Sequence, residues 1–158
     1  KEAGVQGFTE PDPKIDLSGV DVARKILILI RESGYQFDIE DIANRSFLPA
    51  ECLATTINED FFKSLIKNAA HFENLLAEAK AKESRLKYVA TFENGKASVG
   101  LEFIPKESPF YNLEGKDNIV QFYTDRYVDQ PLLIKGAGAG AAVTASGIFA
   151  DVIRVGNI

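Results

Sequence analysis

Asp21, Arg24 and Lys25 are the only polar residues in an otherwise apolar stretch over residues 20–30. On an α-helix, residues three and four apart are neighbours, so all three share one narrow stripe and Lys25 follows a carboxylate by one turn. Two chemistries fit. In the plainer one, Ser18 caps the helix, Asp21 completes a capping box, and Asp21 and Lys25 form a simple ion pair worth about 0.2–0.5 kcal/mol. In the other, the helix is apolar almost all round and therefore buried. A lysine in such surroundings gives up its proton more readily, which suits it to proton transfer. Three further acids, Glu10, Asp12 and Asp16, stand just before this helix, in a segment that Pro11 and Pro13 are expected to hold extended and stiff. Carboxylates and a lysine gathered at one helix N-terminus can bind a small zwitterion, the acids taking its ammonium and the lysine facing the reacting oxygen. A solvated, turn-forming loop is the plainer account of those acids.

A second candidate is the run Lys135-Gly136-Ala137-Gly138-Ala139-Gly140-Ala141. It fits G-x-G-x-x-A, the dinucleotide fingerprint with alanine in third place. The residues after Ala141 carry no second strand and no acid about 20 residues on for a ribose, so a Rossmann unit is not built here. The run reads either as a tight strand-to-helix turn or as an exposed backbone loop that approaches a cofactor held by another domain. In the second case the N–H groups of a helix N-terminus face the cofactor, with Thr144 placed to cap or donate. His71 falls inside an amphipathic helix and reads as a surface or half-buried residue. Cys52 has no basic neighbour in sequence and reads as structural.

The elements that must position these groups follow from periodicity. A helix is predicted over residues 19–33, with Gly34 just past its end. A short extended piece is expected over 42–48. Asn58 is a candidate cap for a helix carrying Phe61, Phe62, Leu65, Ile66 and Ala69, and a second helix, set off by a kink, carries Phe72, Leu75, Leu76 and Ala79. Residues 86–93 and 96–104 alternate about Asn94-Gly95, a strong hairpin signal. Residues 118–124 and 131–135 read as further strands, and 141–154 as a closing helix. Helices, then strands, then a helix imply an α+β fold, with a mixed, largely antiparallel sheet covered on one face by helices.

Composition narrows the function classes. The chain has 158 residues, 46% hydrophobic and 26% charged, enough for one substantial core in a single domain spanning 1–158. A net charge of −5 argues against a nucleic-acid surface. The longest apolar run is too short to span a bilayer and no signal peptide is visible, so no membrane partner and a cytoplasmic location are expected. One cysteine and one histidine exclude a disulfide framework and a His/Cys zinc cluster, and no metal site is expected. The absence of methionine and the opening Lys1-Glu2-Ala3-Gly4, which reads like a final helical turn, suggest a piece of a longer chain.

The segments Gly7-Phe8-Thr9-Glu10-Pro11-Asp12-Pro13 and Asp16-Leu17-Ser18-Gly19-Val20-Asp21-Val22-Ala23-Arg24-Lys25 resemble the substrate-site signature of homoserine dehydrogenase. Residues 136–147, followed by Phe149-Ala150-Asp151, resemble the same family's C-terminal cofactor loop and helix. The order and separation of the two motifs also match. The middle of the chain, including Gln121-Phe122-Tyr123-Thr124, is most similar to the bifunctional aspartokinase/homoserine dehydrogenases. The resemblance implies NAD(P)-dependent interconversion of L-homoserine and L-aspartate 4-semialdehyde, in threonine and methionine biosynthesis. It makes Lys25 the proton donor, Glu10, Asp16 and Asp21 the acids of the substrate site, and Gly138, Gly140 and Thr144 the residues beside the NAD or NADP cofactor. It further implies a homodimer formed through the sheet. It also implies an upstream nucleotide-binding domain of the same polypeptide, which carries a second catalytic lysine and a monovalent-cation site and on which helix 141–158 packs. Without that domain the chain is expected to be inactive. The competing expectation is a non-catalytic α+β module for amino-acid binding or dimerisation.

Overall fold

The computed structural model describes residues 11–115, 117–138 and 140–157. The chain divides into two compact units, Lys1–Tyr111 and Asn112–Ile158.

The described part of the first unit begins with two helices in close succession, α1 (Pro13–Leu17) and α2 (Val20–Glu32). A 3₁₀ turn (Ile39–Asp41) and strand β1 (Ile42–Arg45) follow, then helices α3 (Ala50–Leu53), α4 (Asn58–Lys67) and α5 (Ala69–Ala81). The hairpin of β2 (Arg85–Glu93) and β3 (Lys96–Ile104) completes it. β3 is central, antiparallel to β2 and parallel to β1, in the order β1-β3-β2. The turn is the predicted one: Asn94 and Gly95 both take positive φ, and Glu93 pairs with Lys96.

Alternation puts Tyr88, Ala90, Phe92, Ala97 and Val99 on one face of this sheet, beside Ile42 of β1. Helix α2 packs there. Ala23 and Ile30, two turns apart, are buried with Ile42, Ala97 and Val99, while Val22, Ile26 and Leu27 close around them. Phe92 meets Tyr35 and Phe37 edge-on at 4.8 and 5.5 Å between ring centres. Helix α5 lies against β2, and its C-cap lysine, Lys82, holds its Nζ 4.2 Å from the Phe103 ring. A second cluster joins Leu48, Cys52 and Phe61, with Phe47, Phe62 and Phe72 beside them. Cys52 is wholly buried and its sulfur accepts from the Ser64 hydroxyl at 3.2 Å, which agrees with its structural assignment.

Several local expectations change. Pro13 does not extend the chain; it occupies the first turn of α1, where its missing N–H costs nothing and its fixed φ suits a helix. Ser18 is not the cap of α2. It closes α1 through its N–H to the Lys14 carbonyl, and left-handed Gly19 takes the N-cap position with no side-chain bond. Asn58 is the first residue of α4 rather than its cap. The far end of α2 stops as predicted: Tyr35 N–H reaches Ile30 O and Gly34 N–H reaches Arg31 O, a Schellman closure.

In the second unit, β4 (Asp117–Thr124) and β5 (Tyr127–Ala137) form an antiparallel hairpin with an irregularity at Phe122/Thr124. Helix α6 (Ala141–Gly156) follows. None of the described residues of these three elements is buried. No helix among the described residues is long and apolar enough to cross a membrane.

Phe61 is the largest fully buried side chain among the described residues. Phe61→Ala is expected to destabilise the first unit by about 3–5 kcal/mol, read from urea unfolding with fluorescence or circular dichroism.

Candidate functional site

The acid-rich segment is built on two short helices joined by Ser18 and Gly19. Asp12 caps α1, its Oδ1 accepting the Lys14 N–H at 3.0 Å, and Lys14 Nζ stands 3.2 Å from the same oxygen. The backbone hydrogen bond is the main reason the Asp12 carboxyl lies below the usual carboxylate range; partial desolvation opposes it. Asp16 lies within α1, half-buried. Asp21 is in the first turn of α2, where the helix dipole favours a carboxylate. Its Oδ2 is 2.7 Å from Lys25 Nζ. The structure therefore brings Asp16, Asp21 and Lys25 to one helix–turn–helix. Glu10 lies outside the described residues.

Burial of Lys25 is corrected. Its side chain is 56% exposed, because α2 turns only the Ala23–Ile30 face to the sheet and leaves Asp21, Arg24, Lys25 and Ile28 on the outer side. Ile28, 61% exposed, shows that the helix is amphipathic within this chain and not buried all round. The Asp21–Lys25 contact is the i, i+4 ion pair of the plainer reading.

Long-range hydrogen bonds hold the segment in place. The Asn44 Nδ2 donates to the Ser18 carbonyl at 2.9 Å, and the Tyr88 hydroxyl donates to Asn44 Oδ1 at 3.2 Å. Burial pushes the Tyr88 phenol above its ordinary pKa. The Asn58 Nδ2 donates to the Pro11 carbonyl at 3.1 Å and holds the start of the segment. Sequence reasoning did not single out Asn44 or Tyr88 for this role. The Ser18-Gly19 break before an apolar helix was the only local signal, and the partners lie 26 and 44 residues apart in the chain.

Two clefts in this unit lie away from the acids. One of about 420 Å³ runs between Phe47, His71, Leu75 and Phe103, and one of about 580 Å³ between Lys80, Arg85, Lys106 and Tyr111. His71 is exposed, as expected, and its Nε2 is 2.8 Å from the Phe47 carbonyl.

The glycine-rich run belongs to the second unit. Gly136 and Ala137 finish β5, and Gly140 stands at the N-cap of α6 with φ 124° and ψ 144°, a backbone state that side chains rarely adopt. A Cβ at Gly138 would run into the Asn118 side chain. Among the described residues no side-chain bond caps the start of α6; the Thr144 N–H makes a helical bond to Gly140 O at 3.1 Å. The first-turn N–H groups thus have no helical acceptor. A positive-φ glycine at the N-cap, followed by first-turn donors that it does not cap with a side chain, fits the approach of a polar or anionic cofactor group.

The comparisons with known proteins agree on one family. The homoserine dehydrogenase family model matches residues 1–153. The chain is 44% identical to bifunctional aspartokinase/homoserine dehydrogenase 2, chloroplastic, of Arabidopsis thaliana, over 99% of this chain and 17% of that protein. It is 42% identical to homoserine dehydrogenase of Paracoccidioides brasiliensis, over 94% of this chain and 41% of that one. Among solved structures, Staphylococcus aureus homoserine dehydrogenase superposes with a TM-score of 0.68 at 25% identity, over 99% of this chain and 35% of that one. A Candida auris protein of unknown function superposes with a TM-score of 0.85 at 37% identity, over 96% and 43%. The chain thus spans less than half the length of these relatives.

The lowered Asp12 pKa fixes a pH dependence. Its folded value lies below 3.8, so the cap stabilises α1 above that pH and is lost as pH falls through the folded value. In an NMR acid titration, the Lys14 amide shift should stay constant down to about pH 4 and move only below it; Asp12→Ala should abolish that transition.

Proposed function

The chain belongs to the homoserine dehydrogenase family, and from that premise we propose that it is the substrate-binding and catalytic domain of an NAD- or NADP-dependent enzyme that interconverts L-homoserine and L-aspartate 4-semialdehyde, a step of threonine and methionine biosynthesis. The observation that carries the reading is the Lys25 ammonium held 2.7 Å from Asp21 at the head of α2, with Asp16 on the helix just before it. An ammonium beside carboxylates supports the reading of Lys25 as proton donor to an amino-acid aldehyde.

Glu10 and Asp21 hold the substrate in the region of its ammonium and hydroxyl, and Asp16 is a further acid of the site. The chemistry a nicotinamide supplies when bound is hydride exchange at that carbon. In the reduction direction Lys25 gives a proton from Nζ to the aldehyde oxygen, so that the C=O bond becomes C–OH; in the oxidation direction Lys25 takes it back. Asp21 keeps the lysine head on the substrate side. Gly138, Gly140 and Thr144 are the residues of this chain that border the cofactor.

The main nucleotide-binding domain belongs to the same polypeptide, upstream, and the names of the bifunctional relatives, which pair an aspartokinase with a homoserine dehydrogenase, support further attached sequence. Helix α6 packs on that nucleotide-binding domain, which accounts for the exposure of Ile148, Phe149, Val152 and Val155 along it. A second copy of the chain covers the sheet face opposite α2. The isolated chain is inactive.

In the complete enzyme, Lys25→Ala is expected to lower kcat by about 10²–10⁴ with far-UV circular dichroism unchanged. A loss below about tenfold overturns the assigned proton transfer. Glu10→Ala is expected chiefly to raise the KM for homoserine, and an unchanged KM counts against its role.

A further inference from the structure

Asp16 and Lys25 stand on different helices, so their mutual placement depends on the two residues between those helices. Ser18 closes α1, Gly19 opens α2, and nothing else lies between Leu17 and Val20. These two backbone residues join the α1 acid to the α2 lysine, while Leu17, packed on the second core cluster, and the Asn58–Pro11 hydrogen bond also hold α1.

That junction rests on the sheet through two side chains. Asn44 sits opposite Val99, on the inner face of β1. Its amide spans the gap: Nδ2 takes the Ser18 carbonyl at 2.9 Å, and Oδ1 takes the Tyr88 hydroxyl at 3.2 Å. Tyr88 comes from β2, on the far side of β3, and pairs there with Leu101. Its hydroxyl occupies the space that a Cβ at Gly19 would need. Gly19 is left-handed, with φ 85°. Both residues of the junction are therefore held, Ser18 by a hydrogen bond and Gly19 by direct contact with the phenol. Both holding groups stand on strands of one sheet, Asn44 exposed on the edge strand β1 and Tyr88 half-buried on β2.

We propose that Tyr88 and Asn44 are positioning residues for the substrate site: the phenol–amide pair sets the junction at Ser18-Gly19 and so holds Asp16, Asp21 and Lys25 in their working arrangement. The inference rests on the reading of that segment as the homoserine site. Neither residue touches the reacting atoms. A displacement of about 1 Å at the site can cost as much as 10²-fold in rate, which is how the pair acts on turnover.

The test uses the complete enzyme with Tyr88→Phe, Asn44→Ala and the double variant. Tyr88→Phe keeps the ring and removes only the hydroxyl. Both single variants are expected to lower kcat by roughly tenfold or more and to raise the KM for homoserine, with the KM for the nicotinamide cofactor unchanged. The double variant is expected to lose little beyond the worse single one, because the two act as one unit. A merely structural role lowers Tm and leaves both kinetic constants at the parental values, and that result overturns the proposal. Hydrogen exchange supplies a readout independent of the reaction. Amides of residues 18–25 should exchange faster in both variants while the 85–104 hairpin keeps its protection; unchanged exchange at 18–25 overturns the latch whatever the activity. An enzyme with no homoserine turnover, or with full turnover after Lys25→Ala, overturns the functional reading instead, and the exchange result still decides the latch.

Discussion

The packing of α2 on the inner face of β3 is the constraint on which the first unit depends. Ala23 and Ile30 meet Ala97 and Val99 there, with Ile42 from the parallel strand beside them. Two of the five are alanines, so helix and sheet approach closely. Full burial of an Ile or Val contributes about 1.5–3 kcal/mol, so these few contacts decide where the helix lies. Because β3 is hydrogen-bonded on both edges, the seam is fixed in two directions. The described residues of the proposed site, Asp16, Asp21 and Lys25, stand on α2 or on the short helix before it. Where they lie therefore follows from which face of α2 the apolar stripe turns to the sheet.

The second unit obeys the opposite logic. A two-stranded hairpin is marginal by itself in water, and β4 with β5 bury no described residue. Helix α6 leaves Phe149 66% and Val155 70% exposed. Exposed apolar groups of this density mark a surface that another body covers. Gly140, at the N-cap of that helix, joins it to β5, so the loop proposed to meet the cofactor is presented by elements that bury none of their own described residues.

Much of this was legible in the sequence because the signals are local. Asn94-Gly95 gave the hairpin and its register, Gly34 the end of α2, and the 3.6-residue spacing of Phe61, Leu65 and Phe72 the helices near Cys52. Two local signals misled. Ser18 followed three residues on by Asp21 matches a capping box, yet Ser18 belongs to the preceding helix, because Pro13 starts a helix as readily as it extends a chain. The apolar richness of 20–30 implied burial all round, whereas the chain supplies only one packing face and leaves Ile28 outside. Asn44 and Tyr88 were invisible for a different reason. An amide that joins a turn to a phenol two strands away has no periodicity, and only the folded sheet brings the three together.

The exposure of Lys25 bears directly on how such a site works. An ion pair in water at 2.7 Å is screened and contributes little, about 0.3–0.5 kcal/mol for a helical i, i+4 pair. The same charges in a water-excluded site interact several times more strongly. Proton delivery to an aldehyde oxygen belongs to the second environment. Ile28 stands on the same outer face of α2, one turn beyond Lys25 and as exposed. Any body that lies on the lysine also covers the isoleucine, and burial of that side chain favours the closure that removes water from the ion pair. An apolar residue on the polar side of α2 is then no defect of the amphipathic pattern. On the proposed reading of Lys25 as the proton donor, a body covering this face of α2 takes the Asp21–Lys25 pair out of water and buries Ile28 in the same step.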